Sequence, residues 1–333
     1  MCRHIPKSSS PRIRGEADLN APVVLIFNPV AGRGDAVRRR TAVERLLRAR
    51  GIEFDIRESH SLEAAADVAE ATAREGASVV VACGGDGTVN RVATGLLRAR
   101  ERDATNRAAL AVVPLGTGND FAKLLGIGGS IERAVEVIAS GPVHEFDSGI
   151  AEWEGGEARF VNAFGTGIDV EVVRQIHRLS LPPALTYFVG LARALMRYRP
   201  IPIRLRTAES GIDASIMMVA VSNGRCVGGS FNICPAAEPD DGLFDVCVIR
   251  AVSLAATPAL ALRIVRGSHA GHPAVAFFRS TDVQIEVGGH HPLFFQVDGE
   301  LFEPAGASAV RVRILPSSLP VRVASRNRDA TSE

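Results

Sequence analysis

The segment at residues 84–90 (GGDGTVN) contains the residue types that bind phosphates and cations, and it follows an apolar run that ends at Cys83. Glycines allow the backbone to approach a polyphosphate closely, and the carboxylate of Asp86 can meet the Mg²⁺ that accompanies the phosphates. A purely structural turn requires neither an Asp between glycines nor the Asn that follows. The segment therefore predicts a site for nucleotide phosphates and magnesium.

Two further loops follow neighbouring apolar runs. Residues 28–34 (NPVAGRG) could hold phosphate oxygens on backbone N–H groups at a helix start, with a charge-assisted hydrogen bond from Arg33, or could form only a tight strand-to-helix turn. Residues 114–121 (PLGTGNDF) present Asp120 at a helix start, where a single Asp is usually an N-cap. Two neighbouring loops that each present an Asp favour a shared metal and phosphate site.

The elements that position these loops alternate between strand and helix from residue 21 onward. Continuous Val, Ile and Leu runs such as Val23–Phe27 indicate strands buried on both faces of a parallel sheet. The predicted helices cover residues 35–50, residues 62–75, a segment starting near Thr88, and residues 131–140. In such sheets ligands bind at the carboxyl ends of the strands, which is where the three loops lie.

The pattern changes after about residue 147. Apolar and polar residues now alternate, for example at residues 201–205, 283–287 and 310–314, which indicates an antiparallel, half-exposed sheet of β-sandwich type. Residues 154–157 (EGGE) predict a hairpin turn. We therefore expect two domains, one α/β at 21–147 and one β-rich at 148–324, with disordered tails at 1–20 and 325–333. A return of the last strand to the first domain is left open.

The composition excludes several classes of protein. The 38 basic and 37 acidic residues leave a net charge of +1, so no overall field attracts nucleic acid. Neither lysine, Lys7 nor Lys123, follows a glycine, which excludes a P-loop. The five cysteines form no CxxC pair, so a reducing cytoplasm fits better than a zinc cage or a disulfide framework. No apolar run approaches the roughly 18 to 20 residues that cross a bilayer, so membrane contact would be peripheral.

Taken together, the motifs NPxxG, GGDGT and GTxND resemble the diacylglycerol kinase catalytic domain, and most closely its soluble bacterial lipid kinases. The resemblance continues through residues 162–169 (NAFGTGID), 222–224 (SNG), 235–245 (PAAEPDDGLFD) and 297–300 (VDGE), and so covers roughly residues 20–324. It implies that ATP lies between the two domains and that the second domain receives a lipid. The nucleotide site that it implies comprises Asn28, Pro29, Val30, Ala31, Gly32, Ser59, Gly84, Gly85, Asp86, Gly87, Thr88, Val89, Asn90 and Thr117.

The resemblance also implies the catalytic carboxylates. Asp298 corresponds to the general base, with Glu300 beside it, although residues 297–300 alone would also suit an ordinary hairpin turn. The carboxylates expected to organise the catalytic Mg²⁺ are Asp86, Asp120 and Asp147. A second Mg²⁺ site would use Asp241 with the backbone of Glu238 and Leu243, unless residues 239–242 form a simple turn.

The implied function is an ATP- and Mg²⁺-dependent lipid kinase that phosphorylates a hydroxyl of diacylglycerol or a related lipid. The alternatives are a kinase of a soluble acceptor such as NAD and a non-catalytic nucleotide-binding regulator. Residues 172–207 contain seven arginines and no Asp or Glu, and residues 183–199 have apolar residues at helical spacing. This segment could dock a cytoplasmic enzyme on the inner face of the membrane, or could be the solvated face of a core helix. A homodimer is one of the oligomeric states left open.

Overall fold

The structure is a computed structural model that describes residues 13–14, 22–29, 36–178, 183–229, 231–253, 255–289 and 291–325. Its first part alternates strands and helices, in the order β1 (Ile13–Arg14), β2 (Val23–Phe27), α1 (Ala36–Ala49), β3 (Phe54–Glu58), α2 (Leu62–Arg74), β4 (Val79–Gly84), α3 (Asp86–Arg102), β5 (Ala109–Pro114), α4 (Asp120–Leu124) and α5 (Ile131–Ser140).

Four of these strands form a parallel sheet in the order β3-β2-β4-β5. Every residue of β2, β4 and β5 is buried, as continuous apolar runs predict for strands covered on both faces. The covering helices pack as two pairs, α2 with α3 and α1 with α5. Helices α2 and α3 approach so closely that a Cβ on Gly95 would lie 2.2 Å from the carbonyl oxygen of Ala66, so only glycine fits there.

The second part is mainly antiparallel, as predicted. Its elements are β6 (Val143–Trp153), β7 (Gly156–Phe160), β8 (Ala163–Gly167), α6 (Ile168–His177), α7 (Pro183–Arg197), β9 (Ile201–Arg206), β10 (Gly211–Ser222), β11 (Phe244–Arg250), α8 (Thr257–Val265), β12 (Val275–Ser280), β13 (Asp282–Val287), β14 (Phe295–Val297), β15 (Glu300–Phe302) and β16 (Ala309–Arg322). The three alternating segments found in the sequence become neighbours in the order β9-β13-β16. Stacked, fully buried rings of Phe160 and Phe244 lie in its core, with centroids 5.5 Å apart.

Strands β6 and β16 connect the two parts. They pair in antiparallel fashion over most of their length, with a register irregularity between Leu315 and Leu319. Beyond it, Val321 pairs in parallel with Leu110 of β5, so the last strand extends the α/β sheet. Because β6 runs from Val143 to Trp153, it continues through the boundary expected at residue 147.

The expected disordered tail at residues 1–20 requires a correction at two positions. Ile13 and Arg14 form β1, which pairs with His144 and Val143 of β6, and backbone pairing of this kind holds a terminal segment in place. The other residues of that tail, and residues 326–333, lie outside the described residues.

Candidate active site at the glycine loops

The loops after β4 and β5 are in direct backbone contact. A Cβ added to Gly116 would lie 2.4 Å from the Cα of Gly85, so neither loop has room for a side chain at that point. Asn119 adopts a left-handed conformation with φ of 51°. Its amide accepts a hydrogen bond from the Gly116 N–H (3.1 Å) and donates one to the Gly116 carbonyl (2.9 Å). The two predicted phosphate loops therefore form one continuous backbone surface.

The loop after β2 joins the same surface through the first turn of α3. Thr88 is buried, and its side chain occupies the space next to Gly84, where an added Cβ would lie 2.3 Å from Oγ1. Asn28 Nδ2 donates a hydrogen bond to Thr88 Oγ1 (3.4 Å). Residues 28, 84 and 88 thus lie close together, as the nucleotide-site expectation requires.

The remaining nucleotide-site candidates occupy different environments. Ser59 is buried at the end of β3, and its N–H donates to the Phe27 carbonyl at 2.9 Å. Pro29 is partly buried, whereas Thr117 is exposed at the tip of its loop. Val30, Ala31 and Gly32 lie outside the described residues.

Asp86 and Asp120 converge at the starts of α3 and α4. Asp86 Oδ1 accepts a hydrogen bond from the N–H of Phe121, the residue after Asp120 (3.2 Å). Burial, and then the nearby charges of Asp120 and Asp298, raise the pKa of Asp86 to about 6. Asp120 is also buried, and it accepts hydrogen bonds from the Gly229 N–H (2.9 Å) and Lys123 Nζ (3.3 Å). Lys123 offsets part of the charge of Asp120, and a cation would relieve the negative charge that remains on the pair.

Asp298 is held rigidly by four hydrogen bonds. Its Oδ2 accepts from Asn90 Nδ2 and the Val161 N–H, both at 2.9 Å, and its Oδ1 accepts from the N–H groups of Asn162 (3.0 Å) and Ala163 (2.8 Å). Its backbone is left-handed, with φ of 48°. Burial raises the pKa of Asp298 above the ordinary carboxyl value, and the four donors oppose that rise.

Helix α3 connects Asp298 to Asp86. Asn90 follows Asp86 by four residues, which is about one helical turn, or roughly 6 Å along the axis. The next residue, Arg91, forms an ion pair with Glu300. Glu300 is therefore paired with an arginine, while Asp298 is enclosed by donors. Sequence analysis placed Asn90 in the nucleotide site, but its side chain contacts Asp298 and the Arg159 carbonyl.

Asp147 contacts a turn and a strand of the second part of the chain. Its carboxylate accepts hydrogen bonds from the N–H groups of Gly242 and Ser317, both at 2.7 Å, and the charge near it is that of Asp240. Its assignment to the catalytic Mg²⁺ stays a prediction. Because both of its oxygens are bound by backbone donors, Asp147 fixes the turn at 239–242 against the irregular part of β16.

The second predicted metal group lies in that turn. Asp241 Oδ1 accepts a hydrogen bond from the Leu243 N–H (3.1 Å), and its other oxygen pairs with Arg279. Burial and the charge of Glu238 raise the pKa of the neighbouring Asp245 to about 6. Arg279 already neutralises Asp241, so a cation there would have to displace it.

Asp86 and Asp120 fit the requirements of Mg²⁺ better. Hard carboxylate oxygens suit Mg²⁺, which commonly takes one or two of them together with waters and phosphate oxygens. Within the described ranges no group of three or more His, Cys, Asp or Glu side chains is arranged to hold a metal. Two carboxylates beside the loops that are predicted to bind phosphate agree with a site completed by a nucleotide.

An apolar cleft lies in the second part of the chain. It is lined by residues of α6, α7, β10, β11 and α8, and by Val227 and Phe231. The carboxyl of Asp169 faces the cleft. Burial raises the pKa of Asp169 to about 6, and the hydrogen bond that Gln296 donates to it opposes that rise. No sequence motif indicated this cleft, because its lining comes from six separated segments.

The cleft is connected to Asp298 through a short series of contacts. Asn162, whose N–H binds Asp298, donates its side-chain amide to the Cys226 carbonyl (3.0 Å), and Val227 lines the cleft. Gly229, two residues further on, binds Asp120. Residues 226–229 therefore lie between the cleft and the carboxylates.

No helix among the described residues is long and apolar enough to cross a membrane.

Comparison with known proteins gives the same two-part division. The diacylglycerol kinase catalytic domain matches residues 22–151, and the YegS C-terminal NAD kinase beta sandwich-like domain matches residues 162–323. A "Probable lipid kinase YegS-like" from Xanthomonas oryzae pv. oryzae (strain MAFF 311018) is 32% identical over 278 residues, which cover 82% of this chain and 87% of the relative. One with the same description from Stenotrophomonas maltophilia (strain K279a) is 31% identical, covering 81% and 86%.

A solved structure shares the fold. The structure of a diacylglycerol kinase from Bacillus anthracis str. Sterne superposes with a TM-score of 0.67 at 21% identity, covering 91% of this chain and 97% of the other. A diacylglycerol kinase catalytic domain followed by a NAD kinase beta sandwich-like domain defines the class of diacylglycerol kinase-like enzymes. The chain belongs to the diacylglycerol kinase catalytic-domain family, and within it to the YegS-like lipid kinases.

Proposed function

We propose that this lipid kinase transfers the γ-phosphoryl group of ATP to a hydroxyl of diacylglycerol or a related lipid, with Asp298 as general base. The observation that carries the proposal is the half-buried Asp298 carboxylate, which is held by donors from both parts of the chain and is close enough to Asp86 to raise the pKa of Asp86. The lipid O–H proton passes to Asp298, an O–P bond forms to the γ-phosphorus, and the bond to the β-phosphate oxygen breaks. The products are the phosphorylated lipid and ADP.

The glycine loops supply the nucleotide side of the reaction. Backbone N–H groups in the first turn of α3 and in the loop after Gly116 bind phosphate oxygens, and the close contact of Gly85 with Gly116 keeps side chains out of that surface. Asp86 and Asp120 hold Mg²⁺, which when bound screens the negative charge of the phosphates. The turn containing Asp241, with the backbone of Glu238 and Leu243, is a second, weaker candidate for Mg²⁺, since Arg279 competes for it.

The apolar cleft supplies the acceptor side. Burial of acyl chains in a cleft lined almost entirely by apolar side chains is favourable by about 25 cal/mol for each Å² removed from water. Residues 226–229 separate the cleft from Asp298 and Asp120, so a lipid whose chains occupy the cleft places its polar end toward the carboxylates. This cleft favours a lipid acceptor over NAD, which has no comparable apolar part.

A lipid acceptor also implies contact with a membrane surface. We place the enzyme in the cytoplasm, peripheral to the inner face of the membrane. Support comes from the basic stretch at residues 172–207, in which Arg193 and Arg197 of α7 are exposed. Each accessible arginine contributes about 1 kcal/mol near an anionic leaflet.

The test is transfer of ³²P from labelled ATP to an extracted bacterial lipid mixture, with products identified by mass spectrometry. Asp298→Asn should lower kcat by about 10²- to 10⁴-fold. Asn is a suitable replacement because it tolerates the left-handed backbone found at this position. Asp213→Asn, on the exposed part of β10, is the matched control. A folded Asp298→Asn variant with the activity of the unmodified enzyme would reject the assignment of the base.

A further inference from the structure

Helix α8 has two apolar faces. Leu260 and Ile264 are buried on one face and line the cleft. On the other face Leu262 is 51% exposed and Val265 is 43% exposed. A helix on a protein surface normally presents polar residues to water, so adjacent exposed apolar side chains mark this face as a candidate contact surface.

Helix α7 repeats the arrangement on another side of the same cleft. Leu191 and Leu195 line the cleft, and the adjacent Met196 is 69% exposed. The two helices therefore place exposed apolar side chains next to the residues that enclose the cleft. We call the exposed set the α7–α8 rim, and it consists of Met196, Arg197, Leu262, Arg263, Val265 and Arg266.

The rim carries three exposed arginines. Within the part of the chain that the structure describes, Arg197, Arg263 and Arg266 form no ion pair. The sequence has no Asp or Glu at residues 172–207 or at residues 246–281, which contain these arginines. Some arginines of the same segments that are not part of the rim do form ion pairs, as Arg204 does with Glu286 at 3.0 Å.

We propose that the α7–α8 rim docks on the surface of an anionic leaflet, with Leu262, Val265 and Met196 inserted below the headgroups and the arginines at their level. Apolar residues beside cationic ones are the combination that binds such an interface. The position of the rim around the cleft means that a lipid passes from the leaflet into the cleft without crossing water. The role in lipid entry rests on the proposed function, whereas docking itself is independent of turnover.

Docking is measured by flotation of the full chain with vesicles, without ATP. Vesicles of phosphatidylcholine alone are compared with vesicles containing 30 mol% phosphatidylglycerol, a composition on the order of an anionic leaflet. Arg263→Gln/Arg266→Gln should lower the partition coefficient on anionic vesicles by roughly 30-fold. Arg48→Gln/Arg102→Gln removes the same charge from exposed sites in the α/β part and should leave binding unchanged.

Leu262→Ser/Val265→Ser separates insertion from charge. Because burying apolar side chains is favourable, this change should lower the partition coefficient by about tenfold or more. The melting temperature and the activity toward a water-soluble short-chain diacylglycerol should stay as in the unmodified enzyme. Docking equal to that of the unmodified chain in both rim variants would overturn the inference. So would conversion of a dimer to a monomer by Leu262→Ser/Val265→Ser, because the rim would then be covered by a second copy of the chain. Loss of docking in the rim variants of a chain that phosphorylates no lipid would support the rim and refute the proposed function.

Discussion

The replacement Asn90→Ala tests how Asp298 is held in its ionised form. Of the four donors to Asp298, the Asn90 amide is the only side chain, and it comes from the helix that begins with Asp86. A hydrogen bond to a charged group stabilises that charged form by about 1.5 to 3 kcal/mol. Since one pKa unit corresponds to about 1.36 kcal/mol, its loss should raise the pKa of Asp298 by about 1 to 2 units.

The assay is the pH dependence of kcat. A general base must be ionised to accept a proton, so the acidic limb of the profile should move to higher pH by the same 1 to 2 units. At a pH on that limb kcat should fall by about 10- to 100-fold, and at high pH it should recover because the base itself is intact. A change in stability alone would not shift the limb.

Asn106→Ala is the matched control for this experiment. Asn106, like Asn90, uses its side-chain amide in tertiary hydrogen bonds. It donates to the Ala73 carbonyl (2.8 Å) and accepts from the Ala108 N–H (3.1 Å), and neither bond involves Asp298. The Asn106→Ala variant should be less stable than the unmodified enzyme, and the pH dependence of its kcat should be unchanged. Identical profiles for Asn90→Ala and the unmodified enzyme would refute the argument that Asn90 sets the basicity of Asp298.

Three further changes test other parts of the site. Asp86 has a folded-state pKa of about 6, above the value of about 3.9 expected in the unfolded chain, so protonation favours the native state and stability should fall as pH rises from 4 through 6. Asp86→Asn should therefore raise the melting temperature at pH 7.5 and make the melting temperature less dependent on pH. The same variant should lower kcat by about 100-fold or more. A lower melting temperature by calorimetry would contradict the stability argument. Gly116→Ala should weaken ATP binding by about tenfold or more in calorimetric titration, because the added Cβ would meet the backbone of Gly85. Gly129 has open space around it, so the control variant Gly129→Ala should bind ATP normally. Glu300→Gln should retain kcat within about tenfold, because Glu300 pairs with Arg91; a loss as large as that of Asp298→Asn would show that Glu300 takes part in proton transfer.

The local parts of the site were predictable from the sequence. Glycines, an Asp at a helix start and a preceding apolar run are requirements of short stretches of backbone, so the loops at 84–90 and 114–121 and the strands before them could be identified directly. The strand-and-helix alternation likewise predicted the parallel sheet, and alternating polarity predicted β9, β13 and β16.

The partners of individual side chains were not predictable in this way. Asn90 looks like a nucleotide ligand in the sequence, but it faces a carboxylate 208 positions away. Asp147 is predicted as a metal ligand, and the sequence did not indicate the two backbone donors from distant loops that bind it. The direction in which a side chain points depends on how the helix or strand that carries it packs, and neighbouring sequence does not specify that.

The sequence by itself determined the two-part architecture, the phosphate loops and the family, because periodicity and short motifs are local properties of the chain. Only the tertiary structure decided that α3 connects Asp86 to Asp298, and that six separated segments enclose an apolar cleft. The physical reason is that burial and proximity arise from contacts between residues far apart in the chain. Those contacts raise the pKa of Asp86 and Asp298, and they place the cleft next to the carboxylates.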